Sequence, residues 1–197
     1  MKLTGTPNYL IEKILTLESG KALAQSANIK GQLLGYQAAA LFELTKNYNG
    51  QPILEIGTFV GYSTSILAQA CPDSTIITLN NAKNEIRDAR RNLSNYLNVT
   101  VLCETSWDYL KTASSDWGFI FVDGDHVRVG NDLPWWNKLA IGGLMLFHDF
   151  SVNEIYVNLA VDTMSAKFDR KPDVSIVDTD GIGMAGFYRR EGEIWQI

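Results

Sequence analysis

From Pro52 onward the chain alternates short apolar runs with stretches of helical period, and that alternation limits the fold more than any other feature of the sequence. The runs "PILEI", "STIITLN", "NVTVLC", "GFIFVDG" and "GGLMLFHD" read as strands. Between them the spacing predicts helices over Ser63 to Ala70, over Asn84 to Leu97 with Ile86, Ala89, Leu93 and Leu97 on one face, and over Leu133 to Ala140. This is the sequence form of repeated βαβ units, so the expected architecture is an α/β, doubly wound, mostly parallel sheet covered on both faces. After Asp149 a further helical face runs through Val157, Val161, Met164 and Phe168, followed by "VSIVDT" and "GIGMAGFYR" with Asp180 and Gly181 between them. A connection that short joins antiparallel neighbours, which makes seven strands with an antiparallel one at the C-terminal end. Ahead of the sheet, Leu10, Ile14 and Leu17, then Leu34, Ala38, Leu41 and Leu44, recur at helical steps and predict N-terminal helices.

A length of 197 residues suits one domain, read as a helical N-terminal cap over residues 1–50 and an α/β core over 51–197. Hydrophobic residues make up 46% and charged ones 20%, a balance that excludes a disordered chain. A formal net charge of −5, with basic residues clustered only at Arg87/Arg90/Arg91 and Arg189/Arg190, argues against a nucleic-acid partner. Cys71 and Cys103 fit neither a disulfide framework nor a zinc pattern, and Met1 leads into no apolar signal core, so a reduced, cytoplasmic setting is expected. No apolar run approaches the length of a membrane span.

Open α/β sheets bind ligands beyond the carboxyl ends of their strands, near the point where strand order reverses. Those ends carry Glu55 with Gly57 and Gly61; Asn80; Glu104 to Ser106; Asp123, Asp125 and His126; and His148 with Asp149, which includes both histidines of the chain. The turn "GTFVG" is G-x-x-x-G, with Thr58 where a dinucleotide fingerprint places its second glycine, so a nicotinamide oxidoreductase is disfavoured. It suits a smaller ligand, with an ammonium for Glu55 and a carboxylate for the N–H groups that open the next helix. Asp123, His126, His148 and Asp149 should gather in one crevice, where they could hold a divalent cation or form a hydrogen-bonded network without one. His126, with an ordinary imidazole pKa of ~6.5, is suited to removing a proton near neutrality. Trp135 and Trp136 beside Pro134 read as core packing rather than a ligand platform.

"ILEIGTFVGYST", "FIFVDGDH" and "GGLMLFHDF", in that order and spacing, resemble the motifs of class I S-adenosylmethionine-dependent O-methyltransferases, in the branch of the catechol, caffeoyl-CoA and macrolide-sugar enzymes. The resemblance implies the seven-stranded Rossmann-like methyltransferase fold and methyl transfer to a hydroxyl of a small phenolic or sugar molecule. It implies Glu55, Gly57, Thr58, Gly61 and Ser63 around the methionine end of the cofactor, Asn80 at the ribose where the family usually has an acid, Thr105 and Ser106 near the adenine, and Asp123 beside the cofactor. By the same resemblance Asp123 and Asp149 match metal-ligand positions for Mg2+ or another divalent ion. His148 stands at the third, variable ligand position, where imidazole would favour a transition metal. His126 matches the general base of the sugar-modifying members, with Asp123 as its catalytic companion. A homodimer is compatible with the N-terminal helices, and a non-catalytic nucleoside-binding module of the same fold is the alternative.

Overall fold

The computed structural model describes residues 2–4, 16–31, 33–151, 153–177 and 182–196. Eight strands, β1 (Lys2–Thr4), β2 (Ile53–Ile56), β3 (Ile76–Asn80), β4 (Val99–Cys103), β5 (Trp117–Val122), β6 (Leu139–Ser151), β7 (Val174–Val177) and β8 (Ile182–Tyr188), form one sheet in the order β1-β7-β8-β6-β5-β2-β3-β4. β8 runs antiparallel to β6 and β7, and the other pairings are parallel. The seven anticipated strands are present, and β1 adds an eighth beside β7, so the N-terminal stretch contributes to the sheet as well as capping it. This is the doubly wound, mostly parallel sheet that the alternation implies, with the antiparallel strand β8 expected near the C-terminal end.

The helices are α1 (Leu17–Ser26), α2 (Gly35–Thr45), α3 (Tyr62–Ala70), α4 (Lys83–Asn92), the single turn α5 (Ser106–Tyr109) and α6 (Ile155–Lys167). Leu10 and Ile14 and the turn at Asp180 and Gly181 lie outside the described residues. Two expected boundaries shift. The helix expected to reach Leu97 stops at Asn92, and Leu97 is 98% exposed, because the chain must turn back for Asn98 to pair with Ile76 at the start of β3. The helix expected over Leu133 to Ala140 is instead a 3-10 segment, His126–Lys138, with Pro134 inside it. Proline lacks the N–H that an α-helix interior needs. Leu139 and Ala140 already belong to β6, where Leu139 pairs with Trp117.

Successive strand residues point to opposite faces, and both faces are covered. Ile53, Phe119, Phe121, Leu144 and Leu146 pack under Ala38 and Leu41 of α2 and Ile66 and Leu67 of α3. Their neighbours Leu54, Ile120, Val122, Met145 and Phe147 pack on the other face with Trp135, Trp136 and the α6 residues Val157, Val161 and Met164. Each fully buried side chain of this size contributes about 1.5–3 kcal/mol, so the central strands supply much of the stability of the core. Trp135 and Trp136 are fully buried, Trp136 against Phe168 with ring centroids 4.9 Å apart, which places them in the core as the sequence indicates. Leu17, at the exposed start of α1, and Leu34, just before α2, leave the buried face that their spacing suggests, while Ala38 and Leu41 stay on it. No helix among the described residues is long and apolar enough to cross a membrane.

Candidate functional site

The sheet register sets the site. Ile56 lies opposite Leu79 on one side and Val122 on the other, Val122 lies opposite Phe147, and Asn80 lies opposite Cys103. One residue further along, therefore, Asn80, Gly57, Asp123 and His148 stand side by side at the carboxyl edge. β2 is also where the chain winds off in both directions, through β3 and β4 on one side and β5 and β6 on the other. That is the switch point where such sheets open a crevice.

Gly57 has φ of 106°, and a Cβ there would sit 2.0 Å from the carbonyl oxygen of Asp123, so only glycine lets the two strand ends approach this closely. Gly61 closes the turn at φ 96° as the N-cap of α3 and supplies no side-chain cap. The first N–H groups of α3 are thus left to face an anion. Phe59, between the glycines, is also left-handed (φ 47°) and lines the cleft. Thr58 turns inward, its hydroxyl 2.6 Å from that of Thr78. Glu55 is fully buried on β2 beneath this turn rather than on the cleft wall. Its Oε2 accepts from the hydroxyls of Thr64 and, at 2.5 Å, Thr78, while Oε1 is buried without a partner. Burial pushes its carboxyl up to about 7 against the lowering effect of neighbouring hydroxyls.

The polar cluster depends on an irregularity in β6. Phe147 pairs with Ala185 and Phe150 with Gly183, three residues against two, so β6 carries an extra residue, and Asp149 there is left-handed at φ 55°. In a regular strand His148 and Asp149 would point to opposite faces; the bulge turns both to one side. His148 Nδ1 then lies 3.1 Å from Asp123 Oδ1 and 3.0 Å from Asp149 Oδ2. Nε2 of His148 lies 3.2 Å from Oε1 of Gln37 on α2, an oxygen that also accepts from the Leu34 N–H. Oxygen partners on both sides let both nitrogens donate in the imidazolium, and the Gln37 oxygen keeps the proton on Nε2 when Nδ1, aimed at the two carboxylates, gives its own up. Burial pulls the His148 pKa down, but Asp123 and Asp149 outweigh it and raise it to about 10. Burial likewise pushes Asp149 up, and the two imidazoles overcome it and hold Asp149 well below the usual carboxylate range. His126 opens the 3-10 segment, with Nε2 2.9 Å from Asp149 Oδ2 and Nδ1 3.4 Å from Glu154 Oε2. The contact with Asp149 raises its pKa, burial opposes, and the charges of Asp149, Glu154 and Asp123 add to the rise.

Ligand atoms of Asp123, His148 and Asp149 all lie within 4.8 Å of one another. Two carboxylates and an imidazole whose far nitrogen donates to a fixed carbonyl form a donor set that fits a divalent cation, the imidazole tilting it toward a transition metal.

A cleft of about 430 Å³ joins these parts, with Gly57, Thr58, Ser63, Asn80, Asp123, His126 and Asp149 on its wall. A smaller recess adjoins it past Gly57, Asn80, Gly124 and Asp125 and is lined by Thr105, Ser106, Trp107 and Asp132. Ser106 donates to Asp132, whose carboxyl burial raises to about 7. Thr105 is spent on its own turn, bonding Asp108 as the N-cap of α5. The structure therefore collects the anticipated residues around one opening, with Glu55 and His148 beneath its surface and Gly61 behind the turn. Sequence reasoning missed Gln37, Glu85 and Glu154. Glu85 carries a faint signal, a carboxylate in the helical turn just after a strand end. Gln37 and Glu154 carry none, since their roles arise from packing across 111 residues and from the position of α6.

Residues 54–150 match the model of a family described as a methyltransferase domain. Among solved structures, the chain is similar to a candidate O-methyltransferase from Klebsiella pneumoniae (22% identity, TM-score 0.69, covering 92% of this chain and 95% of that one). It is similar also to the O-methyltransferase TomG of Streptomyces achromogenes, solved with S-adenosylmethionine (18% identity, TM-score 0.69, 95% and 92% covered). A third is an O-methyltransferase of Bacillus cereus in complex with S-adenosylhomocysteine (20%, 0.63, 91% and 94%). No curated protein sequence matches the chain. Identities this low speak for the fold, while the family match covers the segment holding the glycine turn, Asp123, His126, His148 and Asp149. That segment is similar to a methyltransferase domain, and the chain shares the fold of these solved O-methyltransferases.

Proposed function

We propose that the protein transfers the methyl group of S-adenosylmethionine to a hydroxyl of a small phenolic or sugar molecule, with a divalent cation held by Asp123, Asp149 and His148. The observation that carries this reading is the sharing of one cleft by the uncapped start of α3 beside Gly57 and by the Asp123–His148–Asp149–His126 cluster. The solved O-methyltransferases bound to S-adenosylmethionine or S-adenosylhomocysteine support it by analogy. The reading treats residues 1–197 as one catalytic domain.

Methyl transfer is an in-line displacement, so the chain's tasks are alignment, exclusion of water and removal of the acceptor's proton. The first turn of α3 and Ser63 hold the amino-acid end of the cofactor, and the recess at Ser106 and Asp132 takes the base. When bound, the cofactor supplies an electrophilic methyl and the cation lowers the pKa of the acceptor hydroxyl. His126, on the cleft wall, accepts the hydroxyl proton at Nδ1, whose 3.4 Å contact with Glu154 is the looser of its two, while Asp149 at Nε2 stabilises the imidazolium that results. Gln37 keeps His148 turned with Nδ1 toward Asp123 and Asp149, the carboxylates with which it would hold the cation.

The test is calorimetric titration with S-adenosylmethionine and S-adenosylhomocysteine, with and without Mg2+ and Mn2+, followed by an acceptor screen. Saturable binding that metal strengthens, with turnover of a hydroxyl acceptor, is the expected result. Binding with no turnover of any acceptor would make the chain a nucleoside-binding module, and no binding would overturn the reading.

A further inference from the structure

We infer that Glu85, held in place by Asn80, is the group by which this chain recognises the vicinal hydroxyls of the cofactor's ribose. The inference rests on the reading that the cleft takes an S-adenosyl compound. Two adjacent hydroxyls are a double donor, and the strongest acceptor for them is a carboxylate, whose bonds are charge-assisted. The sugar has one place to go. The amino-acid end lies against α3, the base lies in the recess at Ser106, and the border common to both spaces is formed by Gly57, Asn80, Gly124 and Asp125.

The strand end at this border offers an amide, and the amide is already engaged. Asn80 Oδ1 accepts from the N–H of Ala82 at 3.1 Å, and Nδ2 donates to Glu85 Oε2 at 2.8 Å. Asn80 thus acts as a positioning residue. It folds the start of α4 back over the strand end and brings the carboxylate of Glu85, five residues on, to the wall of the same cleft. Glu85 is half-buried, sits in the first turn of α4 where the helix dipole favours an anion, and has no Lys or Arg within ion-pair distance among the described residues. Asn80 occupies one of its oxygens, and among the described residues the other accepts no hydrogen bond. The rival carboxylate at the border, Asp125, is committed: Oδ1 caps the N–H of Val127 at 3.1 Å and Oδ2 lies 3.7 Å from Arg128. The acidic function at the ribose is therefore displaced from the strand end to the following helix.

The experiment titrates S-adenosylhomocysteine and its 2′,3′-dideoxy analogue into wild type, Glu85→Gln, Asp125→Asn and the double variant Asn80→Asp/Glu85→Gln, with the melting temperature of each as a folding control. Wild type should prefer the ribose compound. E85Q should lose roughly 10- to 100-fold in affinity for it and little for the analogue, the span expected when one charged acceptor is removed. D125N should keep the preference, and N80D should restore part of it in the E85Q background by returning a carboxylate to the strand end. E85Q that keeps the preference, loses equally on both compounds, or is not improved by N80D overturns the inference. Failure of wild type to bind either compound refutes the cofactor reading and this inference with it, and is distinguishable because it precedes any effect of mutation.

Discussion

Replacing Glu55 by Gln should remove a pH dependence that the wild-type fold carries between about pH 4.5 and 7. The carboxyl is fully buried, and burial lifts its pKa from the ordinary 4.5 to about 7 in the folded chain. In that window the folded protein holds a proton that the unfolded chain releases, so stability is highest below 4.5 and falls as pH rises through 7. At ~1.4 kcal/mol for each tenfold difference in proton affinity, the gap amounts to about 3 kcal/mol. Gln cannot titrate, but its amide nitrogen would stand where Oε1 already lacks a partner, a pH-independent cost of about 1–3 kcal/mol. Urea unfolding followed by tryptophan fluorescence, run on both proteins from pH 4.5 to 8, isolates the effect. Subtracting the curves cancels Asp132, His148 and every other group that titrates in both. E55Q should be the less stable protein at pH 4.5 and should gain about 3 kcal/mol relative to wild type by pH 8. A difference constant to within ~0.5 kcal/mol across that range would show that Glu55 is ionised in the fold, and would refute the reasoning from burial.

Removing the imidazole with His126→Ala should lower kcat by about 10²- to 10⁴-fold while leaving S-adenosylhomocysteine affinity within a factor of two or so. In the wild type, kcat/KM should rise with pH through a midpoint above the ordinary 6.5 of histidine, because Asp149 raises that pKa and the base must be neutral to act. Gly57→Ala should cost upwards of ~2 kcal/mol in urea unfolding, since its Cβ would lie 2.0 Å from a backbone oxygen at a positive φ; a variant as stable as wild type would mean that the strand ends are further apart. Gln37→Met should weaken Mn2+ binding by roughly 10- to 100-fold in a calorimeter, because His148 loses the acceptor that fixes its protonated nitrogen. Trp136→Ala should cost about 3–5 kcal/mol of stability, as expected of a fully buried core ring; a loss confined to acceptor KM would assign it to the cleft instead.

The legible part of this chain is what local chemistry dictates. "ILEI" and "WGFIFV" could be read as buried strands because burial on both faces requires nearly continuous apolar residues, and all ten of those positions, Glu55 included, are buried. Gly57 and Gly61 could be read as a tight turn because both do take left-handed backbone. Boundaries were less legible where tertiary pairing overrides local preference: β6 extends back to Leu139 because Trp117 offers it a partner, and Leu97 is left exposed by the turn into β4.

By itself the sequence determined the alternation from β2 to β8, the doubly wound class, and the strand-end side chains at the carboxyl edge of the sheet, because hydrophobic period and turn chemistry act over a few residues. Only the tertiary structure decided what those side chains do. Asp123 and His148 meet because β5 and β6 are adjacent and in register, and Asp149 joins them because a bulge reverses its direction. Gln37 reaches His148 from a helix 111 residues away, and Asn80 draws Glu85 to the cleft wall beside it. Each of these depends on distances between segments remote in the chain or on one hydrogen bond's choice of partner, and neither is written in the spacing of residues along it.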